Sequence, residues 1–255
     1  MSNVLAIAHR EIKAYFGSPI AYIVMGVFAV LFGYFYYILL VFFDRNSMQM
    51  AGMGGPQAVN INEQMIRPVF LNSSVILLFV LPLITMRTYA EEKRSGTIEL
   101  LLTAPLTDFQ IIMGKFLGAM ALYAAMLGVT VVHMAVLFAF GNPEWRPIVT
   151  GYLGMLLMGG CFIAVGLLIS SLTKNQIVAG MVTFAVFLLL WVINWGSSFA
   201  GPTTQSVLNY LSITGHLDDF TNGVLDTRHL VYYLSFIAFG LFLTARSVDT
   251  ERWRG

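Results

Sequence analysis

The charged side chains that could take part in binding or chemistry are concentrated in one segment, residues 87–107. It reads RTYAEEKRSGTIELLLTAPLT and holds six of the chain's 27 charged residues (14 basic and 13 acidic), with a long apolar run on either side. Charged groups at this density suit contact with another molecule in water, whereas the flanking runs suit lipid. The segment is therefore the first candidate for recognition of a soluble partner.

The sequence carries no recognisable catalytic or nucleotide-binding motif. The only Gly-Lys pair, Gly114-Lys115, is followed by Phe116 and lacks the earlier glycine of G-x-x-x-x-G-K-[ST], so the backbone cradle for nucleotide phosphates is missing. H-E-x-x-H, a pair of aspartates within an apolar run and a serine–histidine arrangement at membrane depth are missing too. We expect that the chain is not an enzyme and holds neither a cofactor nor a metal of its own.

Three histidines stand near other polar or apolar features that give them a possible role. His133 lies within an apolar run, where an ionisable group is a functional candidate, although a neutral histidine hydrogen-bonded to a neighbouring helix is the favoured interpretation. His216 and His229 flank three aspartates in residues 218–226. Their spacing fits no familiar metal-ligand pattern, so we interpret them as part of a polar cap.

The composition is that of an integral membrane protein. Hydrophobic residues make up 58% of the chain and charged residues 11%, whereas soluble domains carry about 25% charged residues. The net charge is +1, so the chain lacks the basic surface that nucleic-acid binding requires.

Six apolar runs are long enough to cross a bilayer as helices, because a span needs about 20 such residues. They cover approximately 20–43, 68–86, 116–140, 148–172, 177–195 and 229–245. Bundled helices are the way to satisfy the backbone polar groups of such runs in lipid. The predicted fold class is all-α integral membrane, with six transmembrane helices in a single domain over residues 1–255.

Two segments outside these spans also have helical character. Residues 3–16 place apolar side chains on one arc and Arg10 and Lys13 opposite them, which is typical of a helix lying in the membrane interface with its cations toward anionic headgroups. Residues 196–228 are too polar to span and too apolar for a free linker, so we interpret them as re-entrant or surface helices. Residues 44–67 are polar and are expected to form an external loop, with a short surface helix within it as an alternative.

Small residues at a four-residue spacing permit close contacts between helices. The two instances are Gly114-x-x-x-Gly118 and Gly160-x-x-x-Ala164. Packing within one subunit is the favoured interpretation, and a seam between two subunits is the alternative.

The distribution of Lys and Arg predicts the orientation. With the N-terminus inside, the inner segments hold ten of the 14 Lys and Arg residues and the outer segments hold four. By the positive-inside rule this favours an N-in, C-in topology. Residues 87–107 are then cytoplasmic.

Helix-capping signals divide the charged segment. Thr88-x-x-Glu91 and Thr107-x-x-Gln110 both fit capping boxes, so a helix is expected to begin at each end of the segment. Gly96 interrupts the first of these helices.

A second, short helix is expected between the two. Thr97 is a candidate cap, Glu99 is favourable near a helix N-terminus, and Pro105 ends the helix. Its apolar side would come from residues 98–102. A short rigid helix presented in this way suits a groove on a soluble partner.

The letters EEKRSGTIELLLTAP resemble the signature that follows the second span in ABC-2 type exporter permeases. In that family this region forms a coupling helix that docks on the ATP-binding cassette subunit. The positions that match the signature are Glu91, Glu92, Gly96, Thr97, Glu99, Leu101 and Pro105.

The resemblance extends over the whole chain and has further implications. It implies the inner membrane of a bacterium, two permease halves (a second copy or a paralogue) on two cassette subunits, and ATP and magnesium held by those partners. Residues 216–228, followed by Tyr232 and Tyr233, are similar to the subgroup of gliding-motility and nitrous-oxide-reductase-maturation permeases. That subgroup suggests a periplasmic or auxiliary membrane protein as a further partner.

The resemblance favours one function and leaves an alternative open. The favoured function is the membrane-spanning permease subunit of an ABC exporter. The alternative is an ATPase-coupled membrane scaffold, or mechanotransmitter, that remodels an envelope machine while no substrate crosses the membrane. An intramembrane enzyme is disfavoured because the motifs that such an enzyme needs are missing.

Overall fold

A computed structural model describes residues 3–52, 60–197 and 201–252 of the chain. Throughout these ranges every regular element is helical, which confirms the predicted all-α class. A π-helical turn, Asn62–Ile66, leads directly into the third α-helix. The α-helices are α1 (Asn3–Phe16), α2 (Pro19–Gly52), α3 (Arg67–Thr85), α4 (Ala90–Ser95), α5 (Thr97–Thr103), α6 (Asp108–Phe140), α7 (Trp145–Leu172), α8 (Gln176–Ser197), α9 (Pro202–Leu211), α10 (Ile213–Thr221) and α11 (Thr227–Arg252).

Six of these helices are long and apolar enough to cross a membrane, which confirms the predicted number of spans. They are α2, α3, α6, α7, α8 and α11. Most of the apolar length of α3 and α7 is buried inside the chain, whereas α2, α8 and α11 expose most of theirs. The bundle is therefore organised around α3 and α7, with apolar surface facing outward on the other helices as lipid requires.

Glycines on α7 let its neighbours approach closely. A Cβ atom at Gly159 would lie 2.1 Å from the ring of Tyr123 on α6, and one at Gly166 would lie 2.2 Å from Oγ1 of Thr85 on α3. Small residues at helix contacts allow the van der Waals packing that holds membrane helices together. A side chain at either position would force α7 away from a neighbour.

The two small-residue motifs both pack within the chain, as the favoured interpretation predicted. Gly114 and Gly118 on α6 seat α1, because added Cβ atoms there would lie 2.5 Å from Ile7 and 2.6 Å from the Cβ of Glu11. Gly160 faces Ile237 on α11. Helix α1 is therefore packed across the beginning of α6, with Ile7, Ala8 and Tyr15 buried.

Two of the long helices extend well beyond their apolar runs. Helix α2 continues to Gly52, so the predicted loop over 44–67 is wrong at its start, where the sequence has no glycine or proline to end a helix. Residues 53–59 of that predicted loop lie outside the described residues. Helix α11 continues to Arg252, which brings its last turn to the vicinity of α4.

The short helices lie at opposite ends of the bundle. Helices α4 and α5 follow the last turn of α3, whereas Asp218 of α10 pairs with Arg67 at the first turn of α3. We refer to these as the α4 end and the α10 end. Helices α9 and α10 belong to the segment predicted to be re-entrant or on the surface, and α10 packs on α7 where Gly154 faces Phe220 and Leu217.

Candidate coupling site

A serine on another helix holds the break between α3 and α4. The hydroxyl of Ser170 on α7 accepts hydrogen bonds from the backbone N–H groups of Tyr89 (3.0 Å) and Ala90 (3.1 Å) and donates one to the carbonyl of Met86 (3.0 Å). These are backbone groups that a helix terminus leaves without partners. Ser170 therefore caps α4 from outside the segment.

The predicted capping box Thr88-x-x-Glu91 is wrong. Helix α4 has Tyr89 as its N-cap residue, and this residue makes no side-chain capping bond. The backbone N–H of Thr88 instead bonds the carbonyl of Thr85, which continues the turn from α3. Because the groups at the start of α4 are satisfied by Ser170, a residue in the local sequence is not needed there.

A buried lysine gathers acidic side chains from two other helices. The Lys115 side chain on α6 is 1% exposed, and its Nζ donates to Oε1 of Glu92 (2.8 Å) and to Oε1 of Glu11 (3.1 Å). It also donates to the carbonyl of Thr88 at 3.0 Å. A buried ammonium group needs such partners, because removal from water is costly for an uncompensated charge. These contacts join α6 to α1 and α4.

Arg10 closes the same cluster from the solvent side. Its Nη2 lies 2.8 Å from Oε1 of Glu11 and 3.2 Å from Oε1 of Glu92, and its side chain is 53% exposed. We refer to Arg10, Glu11, Glu92 and Lys115 as the lysine cluster. The cation predicted to meet headgroups is thus engaged with two carboxylates, while Lys13 is exposed on α1.

The environment fixes the charges of the lysine cluster. Burial alone would raise the pKa of Glu11, but the attraction of Lys115 and the hydrogen bonds from Arg10 and Lys115 outweigh it, so the pKa is lowered. Burial likewise acts to lower the pKa of Arg10, and the hydrogen bonds and charges of Glu11 and Glu92 raise it overall. Both groups therefore stay charged at neutral pH.

A second buried lysine connects α4 to α11, the last helix of the chain's described residues. The Lys93 side chain is 3% exposed, and its Nζ donates to Oε1 of Glu251 on α11 at 2.5 Å. It also donates to the carbonyl of Ser171 at the end of α7. Together with Ser170 and the lysine cluster, this contact ties the six residues of α4 to α1, α6, α7 and α11.

The junction between α4 and α5 is set by one glycine. Gly96 adopts φ 73°, in the left-handed region that favours glycine. The hydroxyl of Thr97 lies 2.9 Å from that of Ser95 and donates to the carbonyl of Glu92 at 3.5 Å. The prediction that Thr97 caps α5 is wrong, since Gly96 is the N-cap residue and Thr97 is already the first residue of the helix.

The residues predicted to contact the partner divide into two groups. Glu92 points into the lysine cluster, whereas the exposed members on α4, α5 and the turn that follows are Glu91, Gly96, Thr97, Glu99 and Pro105. Ile98 is buried and belongs to the core. The side chain of Leu101 lies outside the described side chains. Helix α5 ends at Thr103, two residues before Pro105, and the predicted capping box of Thr107 and Gln110 at the start of α6 is confirmed.

Sequence reasoning missed the residues that anchor this segment. Ser170 and Glu251 lie 80 and 158 residues away from their partners Ala90 and Lys93, so local spacing gave no sign of them. Lys115 does carry a local signal: it is a single cation at the beginning of a long apolar run, where a buried ion pair is the expected solution.

A chain of hydrogen bonds joins three helices at the α10 end. Nε2 of His216 bonds the carbonyl of Tyr210 (2.9 Å), Nδ1 of His216 lies 2.5 Å from Nδ1 of His229, and Nε2 of His229 bonds Oδ2 of Asp219 (2.6 Å). The ring of His216 stacks on that of Tyr232, with centroids 3.8 Å apart. We refer to His216, His229 and Asp219 as the histidine cluster. It serves as a polar cap, as the favoured interpretation of these histidines had it.

A cavity of about 550 Å³ lies beside the histidine cluster. Arg67 lines it and forms a two-pronged pair with Asp218, in which Nε and Nη2 each donate to a carboxylate oxygen at 2.8 Å. Trp191 lines it too, with its indole N–H donating to the hydroxyl of Ser74 at 3.2 Å. The polar groups of this cavity are thus largely engaged with one another.

His133 lies between aromatic side chains of α2. Its ring centroid is 5.3 Å from that of Phe32 and 5.2 Å from that of Tyr36, both in edge contact. Among the described residues, its buried Nδ1 has no hydrogen-bond partner. The favoured interpretation of a histidine hydrogen-bonded to a neighbouring helix is therefore wrong for this nitrogen, and aromatic packing takes its place.

Comparison with known proteins gives two findings. A family model described as "ABC-2 family transporter protein" matches residues 56–214. The "Probable multidrug ABC transporter permease YbhR" of Escherichia coli strain K12 is 34% identical over 94 residues, which cover 37% of this chain, and the same protein of strain O157:H7 gives the same match. The matched segment spans 25% of that relative's length. Neither finding supports the gliding-motility or nitrous-oxide-reductase subgroup.

Proposed function

This chain belongs to the ABC-2 family of transporter proteins, and from that premise we propose that it is the membrane-spanning permease subunit of an ABC exporter. A separate ATP-binding cassette subunit would hold ATP and magnesium and hydrolyse the nucleotide. The permease would convert that cycle into extrusion of a substrate across the bacterial inner membrane. A second copy of the chain, or a paralogue, would complete the pathway.

The observation that carries the proposal is the way in which α4 is held. A six-residue helix is tied by Ser170, Lys115, Glu11 and Glu251 to four other helices, three of which are spans. The helix that follows it, α5, exposes Glu99 and Thr97. A force applied to α5 therefore reaches several spans through a short and tightly bonded segment.

The proposal assigns different tasks to the residues of the charged segment. Glu91, Thr97, Glu99, Leu101 and Pro105 would meet the cassette subunit. Gly96 would set the angle between α4 and α5 through its left-handed backbone, since an added Cβ there meets nothing within 4 Å. Glu92 would transmit movement through Lys115 to α6 and α1 and would not touch the partner.

The coupling requires the α4 end to face the cytoplasm. The ten-to-four distribution of Lys and Arg supports that orientation. Nucleotide-driven closure of the two cassette subunits can shift the permease between states only if those states differ in their fit to the closed form. The ion pairs of Lys93 and Lys115 make such a difference feasible, because separating a buried lysine from its carboxylate is costly and the contacts of α4 therefore resist separation.

Co-purification of the permease with its cassette subunit tests the proposal. Glu99→Arg reverses an exposed charge on α5 and should reduce ATPase activity of the complex by about tenfold, the effect of about 1.4 kcal/mol. Gly96→Trp should have a similar effect, because a non-glycine residue strains the left-handed junction. Membrane insertion should be unchanged in both.

Glu144→Arg is the matched control, since Glu144 is an exposed glutamate at the beginning of α7, remote from α4. It should leave ATPase activity at the wild-type level. Equal activity of the wild-type complex and of both the Glu99→Arg and Gly96→Trp complexes would refute the assignment of this segment.

The alternative function, a scaffold that transmits force to an envelope machine, is favoured by one feature of α7. This helix carries Ser170 at the α4 end and, at the other end, Thr150, whose hydroxyl donates to the carbonyl of Phe220 on α10. Movement of α4 could therefore reach α10 directly. Nucleotide-driven uptake of a substrate into inverted vesicles containing the complex would decide for the exporter and against the scaffold.

A further inference from the structure

A second cavity, of about 420 Å³, lies at the α4 end between α1 and the segment formed by the α3–α4 turn and the beginning of α4. Its walls include Arg10, Tyr15 and Ser18 from α1 and the turn after it, and Arg87 from the turn after α3. The cavity therefore lies just beyond the end of an apolar span, where Arg10 and Arg87 line its wall. That position along a membrane helix corresponds to the level of the lipid headgroups.

Arg87 is the unexplained cation of this cavity. Its side chain is only partly exposed. Among the described residues, its guanidinium forms neither an ion pair nor a hydrogen bond with the protein, whereas Arg10, Lys93 and Lys115 each have at least one carboxylate partner. A partly buried guanidinium without a partner is unfavourable unless a bound anion or water satisfies its five donors.

The acidic groups around the cavity do not neutralise Arg87. Glu11 and Glu92 also line it, but both are bonded to Lys115 and Arg10 in the lysine cluster. Glu91 lines it as well and is exposed, so water screens its charge. The cavity thus keeps one cation whose charge is not matched by a contacting carboxylate.

An apolar crevice begins where the cavity ends. It shares Tyr15 and Arg87 with the cavity and is otherwise lined by apolar residues of α2, α3 and α6, including Ile20, Val24 and Leu83. Ile20 is 41% exposed and Leu83 is 44% exposed, so the crevice is open to the surroundings of the bundle. The crevice itself encloses only about 10 Å³, so a hydrocarbon chain would lie on this exposed apolar surface. A charged cavity that shares Tyr15 and Arg87 with such a surface matches a molecule that has an anionic head and a hydrocarbon chain.

We propose that this cavity binds the phosphate of an anionic phospholipid. Arg87 donates to the phosphate oxygens, and the donors of Arg10 that face water add to the same contact, since a guanidinium offers a planar fork suited to phosphate. An acyl chain lies along Ile20 and Leu83 toward the hydrophobic layer. The site joins α1 to the α3–α4 turn and does not depend on ATP coupling.

The test uses the full-length protein in detergent with added phosphatidylglycerol, phosphatidylcholine or inorganic phosphate. A ligand that binds only the folded protein raises the melting temperature by an amount that grows with its concentration relative to its Kd. Phosphatidylglycerol should raise it more than phosphatidylcholine and should remain bound in native mass spectra. Arg87→Gln should weaken phosphatidylglycerol binding by about tenfold, as expected for loss of a charge-assisted contact to phosphate.

Arg94→Gln is the matched control, because Arg94 is exposed on α4 and does not line the cavity. It should bind phosphatidylglycerol like the wild type. If Arg87→Gln does not yield folded protein, Arg87→Lys takes its place: the charge remains, the fork is lost, and binding should still fall at least threefold relative to Arg94→Lys.

Three results would overturn the proposal. The first is equal stabilisation by phosphatidylglycerol and phosphatidylcholine. The second is undiminished phosphatidylglycerol binding in both Arg87 variants. The third is stabilisation by inorganic phosphate that matches and competes with that by phosphatidylglycerol, because the site would then serve a free anion and the crevice would have no part in binding.

Discussion

The two ends of the bundle solve the problem of buried polar groups with different chemistry. The α4 end uses Lys115 with Glu11 and Glu92, and the α10 end uses His216 with His229 and Asp219. Both clusters join three helices through hydrogen bonds or ion pairs of 2.5–3.2 Å. They differ in how their hydrogen bonds depend on the protonation of the side chains.

The hydrogen-bond partners assign the protons of the histidine cluster. The carbonyl of Tyr210 and the carboxylate of Asp219 can only accept, so Nε2 of His216 and Nε2 of His229 must each carry a proton. The two Nδ1 atoms face each other, and a bond between them needs one proton. If both Nδ1 atoms carry a proton, two positive rings are in contact and this bond is lost.

The lysine cluster has no such restriction near neutral pH. Lys115 and Arg10 are cations, and the lowered pKa of Glu11 keeps its carboxylate charged well below pH 7. The α4 end is therefore held by a permanent ionic tie, whereas the α10 end is held by a tie that is lost when both histidine rings are protonated. A rigid link suits transmission of force, and a conditional link suits a response to the surroundings.

The largest effect is expected at the permanent tie. Lys115→Met leaves the partly buried Glu11 and Glu92 without their central cation and should lower the free energy of unfolding by about 3–5 kcal/mol. The measurement is denaturant unfolding in detergent, with Lys174→Met, at an exposed lysine, as the control. Adding Glu11→Gln and Glu92→Gln to Lys115→Met should recover much of the loss, because the buried charges are then gone.

A loss below about 1 kcal/mol for Lys115→Met, similar to that of Lys174→Met, would contradict the view that the α4 end is held by a buried ionic contact. The lysine cluster would then behave like a surface ion pair, for which such values are usual. Burial of Lys115 would then make no measurable contribution to the free energy of unfolding.

The fold was predictable from sequence to the extent that local signals decide it. The six spans follow from hydropathy, and the Thr107–Gln110 cap follows from a motif whose partners are three residues apart. Thr88 and Glu91 fit the same motif and do not form it, because Ser170 already satisfies the backbone of α4. A local rule fails where a tertiary contact supplies the same hydrogen bonds.

The candidate site was predictable in position and not in mechanism. Interleaved charges between apolar runs identified residues 87–107 as the segment to examine. Which of its charges face outward depends on partners elsewhere in the chain: Glu91 is exposed, whereas its neighbour Glu92 reaches Lys115. Nothing in the spacing of two adjacent glutamates distinguishes them.

A smaller effect, dependent on pH, is expected at the α10 end. Burial lowers the pKa of His216, the charge of His229 lowers it further, and the contacts with Tyr210 and Asp219 offset this only in part. As the pH falls, the unfolded chain therefore takes up this proton before the folded chain does. The stability from the neutral ring is present above about pH 6.5 and is lost as the pH falls through the lowered folded pKa.

The measurement is the free energy of unfolding in detergent between pH 7 and pH 5. The wild type should lose stability over this range, because the lowered pKa of His216 makes its protonation unfavourable in the folded chain, and His216→Gln should flatten the dependence. His9→Gln, at an exposed histidine, should leave it as in the wild type. An identical pH profile in all three proteins would show that the histidine cluster is not a conditional tie.

The smallest effect is expected for the pair next to the histidine cluster. Arg67 and Asp218 form two hydrogen bonds of 2.8 Å, but their side chains are 39% and 37% exposed, so water competes for both. A double-mutant cycle with Arg67→Ala and Asp218→Ala should give a coupling of about 0.5–1 kcal/mol, at the upper end for exposed pairs because the contact is two-pronged. The coupling should decrease as salt is raised, whereas the coupling of Lys115 with Glu92 should respond little.

A stronger and less salt-sensitive coupling for Arg67 with Asp218 than for Lys115 with Glu92 would contradict this prediction. Burial would then not explain the difference between the ionic contacts at the two ends.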